Sequence, residues 1–318
     1  MLRFVVRRLV GMILVLFAVS VLVFLIFNVA PSNDPAQRLA GKNATPQLVA
    51  SIEEEWDLNK PLPQQYVTMM KKIFTGELIS YEGRENVVDR IVEGIPPTFS
   101  LCIGAAVIWM SFAILFGYLS AVKAGGWLDT ALTVLAVTGI SMPIFWLAAI
   151  LLNYLTYKTS IFPSAGYVEI TDDPLEWAYH LVLPWTTMAI LYVGFYSRVL
   201  RSNMLDAMNE DYVRTARAKG LSERRVMRRH VLRNSLIPIV TLFGLDFGAL
   251  LGGAILVEAI FPLNGIGQYG FEALGNLDLP PIMAITLFGA FFIVLFNTLV
   301  DIAYAYLDPR IRLGTEAP

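Results

Sequence analysis

The sequence predicts an all-α integral membrane protein with six transmembrane helices, both termini on the cytoplasmic side, and a small extracytoplasmic helical cap. Three observations carry this. The 318 residues are 56% hydrophobic and 16% charged, with a mean hydropathy of +0.60, too apolar for an ordinary soluble domain. Uncharged runs long enough to cross a bilayer core of about 30 Å recur along the chain. Lys and Arg are unevenly shared among the segments that join those runs.

The first run, Leu9–Ala30, is 22 residues without a charge and follows Arg3, Arg7 and Arg8. It is too long for the apolar region of a signal peptide and lacks a small-residue cleavage site, so it reads as the first span. Further runs cover Thr98–Val122, Thr130–Tyr157, Trp177–Ser197, Asn234–Val257 and Leu279–Val300; the one charge among them is Asp246. With the N-terminus inside, the inner segments hold Arg3, Arg7, Arg8, Lys123, the ten Lys and Arg of residues 198–233, Arg310 and Arg312. In the outer loops 158–176 and 258–278, Lys158 is the one basic residue. The expected organisation is a cytoplasmic N-terminus and first span (1–30), an extracytoplasmic helical insertion (31–97), a five-helix core (98–307) and a cytoplasmic tail (308–318).

The segment from Pro31 to Pro97 is too polar to span. Thr45 and Pro46 suit the N-cap and first position of a helix. Tyr66, Met69, Met70 and Ile73 recur at helical spacing before Gly76, and Val87, Val88, Ile91 and Val92 form a second amphipathic pattern leading to Pro96-Pro97. This is a cap on the outer face, too short to fold as an independent domain.

Between the fourth and fifth runs, Arg198–Arg233 carries ten Lys or Arg residues against four acidic ones. It reads as two short helices meeting at Gly220. Glu210 and Asp211 stand in the first turn of the first helix and Arg217 and Lys219 in its last, as the helix macrodipole prefers. Gly220 suits the left-handed residue that closes it. Ser222 is expected to cap the second helix, with Glu223 in its first turn and Leu221 packing on Val226 as a staple. The charge pattern leaves open whether this rigid elbow meets a partner or is a solvated basic face.

Several chemistries are excluded. There is no phosphate-cradling Gly-x-x-x-x-Gly-Lys-Ser/Thr, and no nucleophile–base constellation or metal-ligand cluster, so no catalytic residue and no metal site are assigned. Cys102, the single cysteine, falls in the second run and reads as packing. His180 and His230 lie far apart. The basic residues sit beside spans without interleaved aromatics, which argues against nucleic acid and for the lipid bilayer as their neighbour.

The run Asp211-Tyr212-Val213-Arg214-Thr215-Ala216-Arg217-Ala218-Lys219-Gly220-Leu221-Ser222, continuing through His230-Val231-Leu232-Arg233-Asn234-Ser235-Leu236-Ile237-Pro238, resembles the cytoplasmic loop of binding-protein-dependent ABC importer permeases. It is most similar to the B-type permease of the dipeptide/oligopeptide/nickel branch. Ala216, Gly220 and Leu232 match the general loop. Arg214, Thr215, His230, Arg233 and the later Pro238 depart from it as the peptide branch does. Leu58-Asn59-Lys60-Pro61, Gln65-Tyr66, Gly76-Glu77-Leu78, Ser141–Trp146 and Leu307–Arg312 extend the resemblance over nearly the whole chain, although Ile79-Ser80-Tyr81 replaces the usual Gly-x-Ser. Because that family is largely prokaryotic, the sequon Asn43-Ala44-Thr45 is discounted.

The resemblance implies the type I ABC importer permease fold in a prokaryotic cytoplasmic membrane. It also implies a sister permease, two ATP-binding cassette ATPase subunits and an extracytoplasmic substrate-binding protein as partners. It implies further that this chain binds no cofactor and that ATP and magnesium belong to the partner subunits. Tyr212, Arg214, Thr215, Ala216, Arg217, Ala218, Lys219, Gly220, Leu221 and Ser222 are then the ATPase-coupling residues. The expected substrates are di- and oligopeptides, with nickel chelates, glutathione or oligosaccharides as alternatives; a stand-alone carrier or channel is a reading from another class. Candidates for the substrate path are Ser141, Pro143, Phe145 and Trp146, where Pro143 can kink a span, and Asp246. A mid-span carboxylate is costly in lipid and should face a cavity or be satisfied inside the bundle. Asn264, Gly265, Gly267 and Gln268, in a Gly-rich outer loop, are candidate contacts for the binding protein.

Overall fold

The computed structural model describes residues 2–29, 35–40 and 45–307. The expected tail residues from Asp308 onward, with Arg310 and Arg312, and the sequon's Asn43 and Ala44 lie outside them. In chain order the helices are α1 (Leu2–Val29), α2 (Pro35–Ala40), α3 (Pro46–Glu55), α4 (Leu62–Thr75), α5 (Val87–Val122), α6 (Trp127–Ser141) and α7 (Ile144–Leu151), the last prolonged by a π-helical turn Leu152–Lys158. Then come α8 (Pro174–Ala207), α9 (Asp211–Ala218), α10 (Glu223–Val226), a π-helical stretch Met227–Leu232, α11 (Arg233–Gly253), α12 (Ile255–Ile260), α13 (Ile266–Asn276) and α14 (Leu279–Leu307). Among the described residues the β-structure amounts to one isolated bridge, Ile79 with Asn86. Among the described residues five helices are long and apolar enough to cross a membrane, and the bent pair α6–α7, counted as one, makes a sixth.

Local chemistry explains the starts and stops. Thr45 accepts the Leu48 N–H at 3.3 Å, and Pro46 follows as the first helical residue of α3. Gly76, at φ 76°, closes α4. Asp173 accepts the N–H groups of Leu175 and Glu176 and opens α8.

The observed helices differ from the expected runs in four places. Val87–Val92 and Thr98–Val122 form one helix, α5, which passes through Pro96 and Pro97. Tertiary contacts hold it there: Thr98 Oγ1 accepts the Ile266 N–H at 2.9 Å, and a Cβ on Gly94 would lie 2.8 Å from the Ile266 nitrogen. The third span is broken, not merely kinked, bending by 101° between α6 and α7. Met142 is extended (φ −84°, ψ 125°), as the residue before a proline prefers, and Pro143 begins α7 from the same region. The second helix of the elbow is not short, because α10 runs through the π-helical stretch into the fifth span, Glu223–Leu251. Glu258, the first residue past the expected fifth run, is fully buried.

The chain divides into two compact units. One comprises the described residues of Met1–Thr98, Leu251–Ile255 and Asn264–Pro318. Phe24, Met69, Leu78, Tyr81, Val87, Ile91, Ile266 and Met283 share its core. Polar ties fix its turns. Gln65 Nε2 donates to the Leu58 and Lys60 carbonyls at 2.8 and 2.7 Å, holding the Leu58–Pro61 bend, and the hydroxyls of Ser20 and Tyr66 meet at 2.6 Å. Asp278, 6% exposed, accepts Ser80 Oγ at 2.5 Å and the N–H groups of Tyr81 and Glu82 at 3.1 and 3.3 Å. Burial, with Asp278 nearby, pushes the Tyr81 hydroxyl up, so it stays neutral. Arg8 pairs with Asp301 at 2.7 Å.

The other unit comprises Phe99–Leu250 and Leu256–Leu263. Its helices approach closely where glycines allow it. A Cβ on Gly194 in α8 would lie 2.5 Å from the Ala136 carbonyl oxygen of α6. On α5, Gly104 makes room for the Trp185 indole, whose Nε1 donates to the Ser100 carbonyl at 2.9 Å. Cys102 is buried within this packing.

Candidate coupling hairpin and translocation site

The elbow is built from α9, its turn and α10. The Gly220 N–H reaches the Arg217 carbonyl at 2.9 Å and the Leu221 N–H reaches that of Ala216 at 3.4 Å, the paired bonds of a Schellman turn. Gly220 has φ 77°, and no atom lies within 4 Å of where a Cβ would stand. Only backbone strain reserves the position for glycine. Val213, Ala216, Val226, Met227 and Val231 are buried and share a cluster with Tyr196, Leu200 and Met204 of α8, while Leu221 packs at its edge. Tyr212, Arg214, Thr215, Arg217, Ala218, Lys219, Gly220 and Ser222 face outward.

Ser222 occupies the N-cap position of α10, but its side chain makes no capping bond there. The turn is clipped instead by Arg217, whose Nε and Nη2 donate to the two Glu223 carboxylate oxygens at 3.1 and 2.7 Å. Both partners are exposed, so this clip contributes at most about 1 kcal/mol. Glu223 thus holds the previous helix as well as opening its own, a role that first-turn placement alone does not suggest.

Of the substrate-path candidates, Ser141, Pro143, Phe145 and Trp146 come together. With Val137, Thr138 and Met142 they line a cavity of about 590 Å³ at the break in the third span. Phe145 and Trp146 are 55% and 48% exposed. Asp246 does not join them. It is half-buried on α11, where Tyr196 Oη donates to its Oδ2 at 2.6 Å. Aromatic rings gather at that position: Trp109 stacks on Tyr192 at 4.5 Å and lies 6.2 Å from Tyr196 and 5.6 Å from Phe243. Tyr196 was not legible as a partner, because 50 residues separate it from Asp246.

The outer segment is more ordered than its glycines suggest. Gly265 and Gly267 are buried at the start of α13, where a Cβ on Gly267 would lie 2.9 Å from the Ile255 backbone. Asn264 remains exposed, its N–H bonded to Gln268 Oε1 at 2.8 Å, and Gln268 is half-buried. A further feature escaped sequence reasoning. Asp129, only 5% exposed at the start of α6, is gripped by Arg201 of α8 through two bonds of 2.7 Å.

A family model described as binding-protein-dependent transport system inner membrane component matches residues 113–313, and its N-terminal companion matches residues 1–102. The chain belongs to this family. The permease is 37% identical over 310 residues, 97% of this chain and 99% of the relative, to a protein of Sinorhizobium fredii named as a probable peptide ABC transporter permease. It is 36% identical to a dipeptide transport system permease of Alkalihalophilus pseudofirmus, covering 98% of this chain and all of the relative (100%). With a glutathione transport system permease of Escherichia coli it shares 37% identity over 98% of this chain and 99% of the relative. The family resemblance carried by residues 211–238 is thereby borne out, as is the permease fold it implies.

Proposed function

We propose that this permease forms half of the translocation path of an ATP-driven importer of di- and oligopeptides in a prokaryotic cytoplasmic membrane. A sister permease supplies the other half. Two ATPase subunits, which hold the ATP and magnesium, each grip one hairpin, and an extracytoplasmic binding protein delivers substrate. The observation that carries this reading is the elbow itself: an outward-facing surface from Tyr212 to Ser222, set on a buried cluster and closed by a left-handed glycine. α10 continues without a break into the helix that bears Asp246. A push on the elbow is therefore delivered along a rod to the middle of the membrane, as alternating access requires.

The break in the third span supports the path assignment. Extended backbone at membrane depth is tolerated only where it is buried in protein or lines a water-filled cavity. Met142 and Pro143 are extended, and Pro143, Phe145 and Trp146 are exposed in this chain, so the sister permease and the path between the two chains are their proposed surroundings. Asp246, held through Oδ2 by the Tyr196 hydroxyl, attracts the cationic end of the peptide. Asn264 and Gln268 form the rim that meets the binding protein.

Co-purification decides the partner assignment. ATPase subunits should accompany the wild-type permease and be lost when Tyr212 and Arg214 are both replaced by Glu. Retention at wild-type stoichiometry would remove the elbow from the coupling role. The ligand carried by the associated binding protein, identified by mass spectrometry, tests the substrate class; a nickel chelate or oligosaccharide there would overturn the peptide assignment.

A further inference from the structure

The coupling reading explains how the elbow is pushed but not how the third span responds. The Asp129 carboxylate is almost wholly enclosed and has four donors. Ser120 Oγ on α5 and the Arg201 Nε on α8 bond its Oδ1; the Gly125 N–H, at 2.9 Å, and the Arg201 Nη2 bond its Oδ2. Gly125, at φ 78°, presents its N–H from the turn between α5 and α6. Such a planar, two-pronged guanidinium–carboxylate contact fixes direction as well as distance, which a lysine cannot do. Removing one partner leaves an enclosed charge uncompensated, so the contact is not a loosely held surface pair.

Its position gives it a consequence. Arg201 lies two turns before the end of α8, ahead of the elbow, and Leu200 and Met204 on either side are buried in the elbow's own cluster. Asp129 lies in the first turn of α6, the half-span that ends at Met142–Pro143. Farther along the same pair, Gly194 and Gly139 bring the backbones of α8 and α6 together: a Cβ on Gly139 would stand 3.1 Å from the Ile190 carbonyl oxygen. The two helices are thus pinned at the start of α6 by charge and toward its far end by steric fit.

We propose that Asp129 and Arg201 are positioning residues that make α6 and the elbow-bearing end of α8 one rigid body. Movement imposed on the elbow then turns α6 as a whole, and the displacement is taken up at the Met142–Pro143 break, which re-aims α7 and opens or closes the adjoining cavity. This rests on the coupling reading of the elbow.

The test uses the assembled importer, with cysteine-free partner subunits, reconstituted in vesicles. Spin labels are placed by cysteine substitution at exposed positions: Val134 on α6, Ala149 on α7, Ser202 on α8 and Lys219 on the elbow. Cys102 is buried and does not compete for label. Distances are read without nucleotide and after trapping with magnesium ATP and vanadate. In the wild type the 134–202 distance is expected to stay fixed while the 149–202 distance shifts. In Arg201→Gln and Asp129→Asn the 134–202 distribution broadens and the nucleotide-dependent 149–202 shift is lost, although the ATPase subunits stay bound. Arg201→Lys, which keeps the charge without the fork, gives the same losses and replaces Arg201→Gln if that variant fails to accumulate. An undiminished 149–202 shift with an unbroadened 134–202 distance in these variants would overturn the clasp while leaving the coupling reading intact. No nucleotide response at the Lys219 label in the wild type would overturn both.

Discussion

At the scale of single residues, three positions turn the structure into measurable expectations. Asp278 serves three donors from one turn, two of them backbone N–H groups. Replacing it with Ala leaves the buried Ser80 hydroxyl and Tyr81 N–H without their acceptor, at a cost of about 1–3 kcal/mol, so the purified complex should melt at a lower temperature in detergent than the wild type. Gly220 is reserved by its dihedral angle and not by lack of space. Asn tolerates the left-handed region and Val does not. Gly220→Asn should therefore sustain near-normal uptake, whereas Gly220→Val, strained by ~1 kcal/mol or more, should insert but leave ATP hydrolysis by the proposed partner subunits uncoupled from uptake. Equal uptake by both would show that the turn does not transmit force. For Asp246 the isosteric Asn still accepts the Tyr196 hydroxyl, so assembly is preserved and the charge alone is removed. A fall in peptide uptake with normal assembly supports a path-facing carboxylate; unchanged uptake assigns Asp246 to the bundle.

At the scale of elements, the close pairing of α6 with α8 predicts a steep penalty. Gly194→Ala places a methyl group 2.5 Å from the Ala136 carbonyl oxygen, where neither backbone can yield. Overpacking of this kind costs about 1–3 kcal/mol, and the variant should show reduced thermal stability and a weakened complex. Elements were largely legible in the sequence. The uncharged runs mark the spans because nothing else keeps a bilayer's interior free of charge, and Thr45-Pro46 and Gly76 announce helix ends through chemistry confined to a few neighbouring residues. What joins the elements was not legible. Asp278 finds Ser80 across 198 positions and Asp129 finds Arg201 across 72, and neither periodicity nor capping rules carry information over such separations. The same limit explains why Pro143 pointed to a bend but not to one of 101°, and why Pro96-Pro97 pointed to a helix end that tertiary contacts abolish.

At the scale of the whole molecule, the chain offers an elbow, a rod and a broken span, but it has no phosphate-binding loop with which to power them. Vesicles containing this permease alone, supplied with peptide on the outside and ATP on the inside, should accumulate nothing. Accumulation should appear when the sister permease, ATPase subunits and binding protein are added together. Transport by the lone chain would instead make it a self-sufficient carrier. The broken span has one more consequence, which concerns the lipid. The 15 residues of α6 rise about 22 Å at 1.5 Å per residue. A typical hydrocarbon layer measures roughly 30 Å, and α7, turned almost at right angles, adds little height. Any lipid that meets α6 outside its contact with α8 and the proposed sister-permease face has to thin to match it. Uptake by the assembled importer is therefore expected to vary between vesicles of shorter and longer acyl chains; equal uptake in both would show that no lipid adjoins the short half-span.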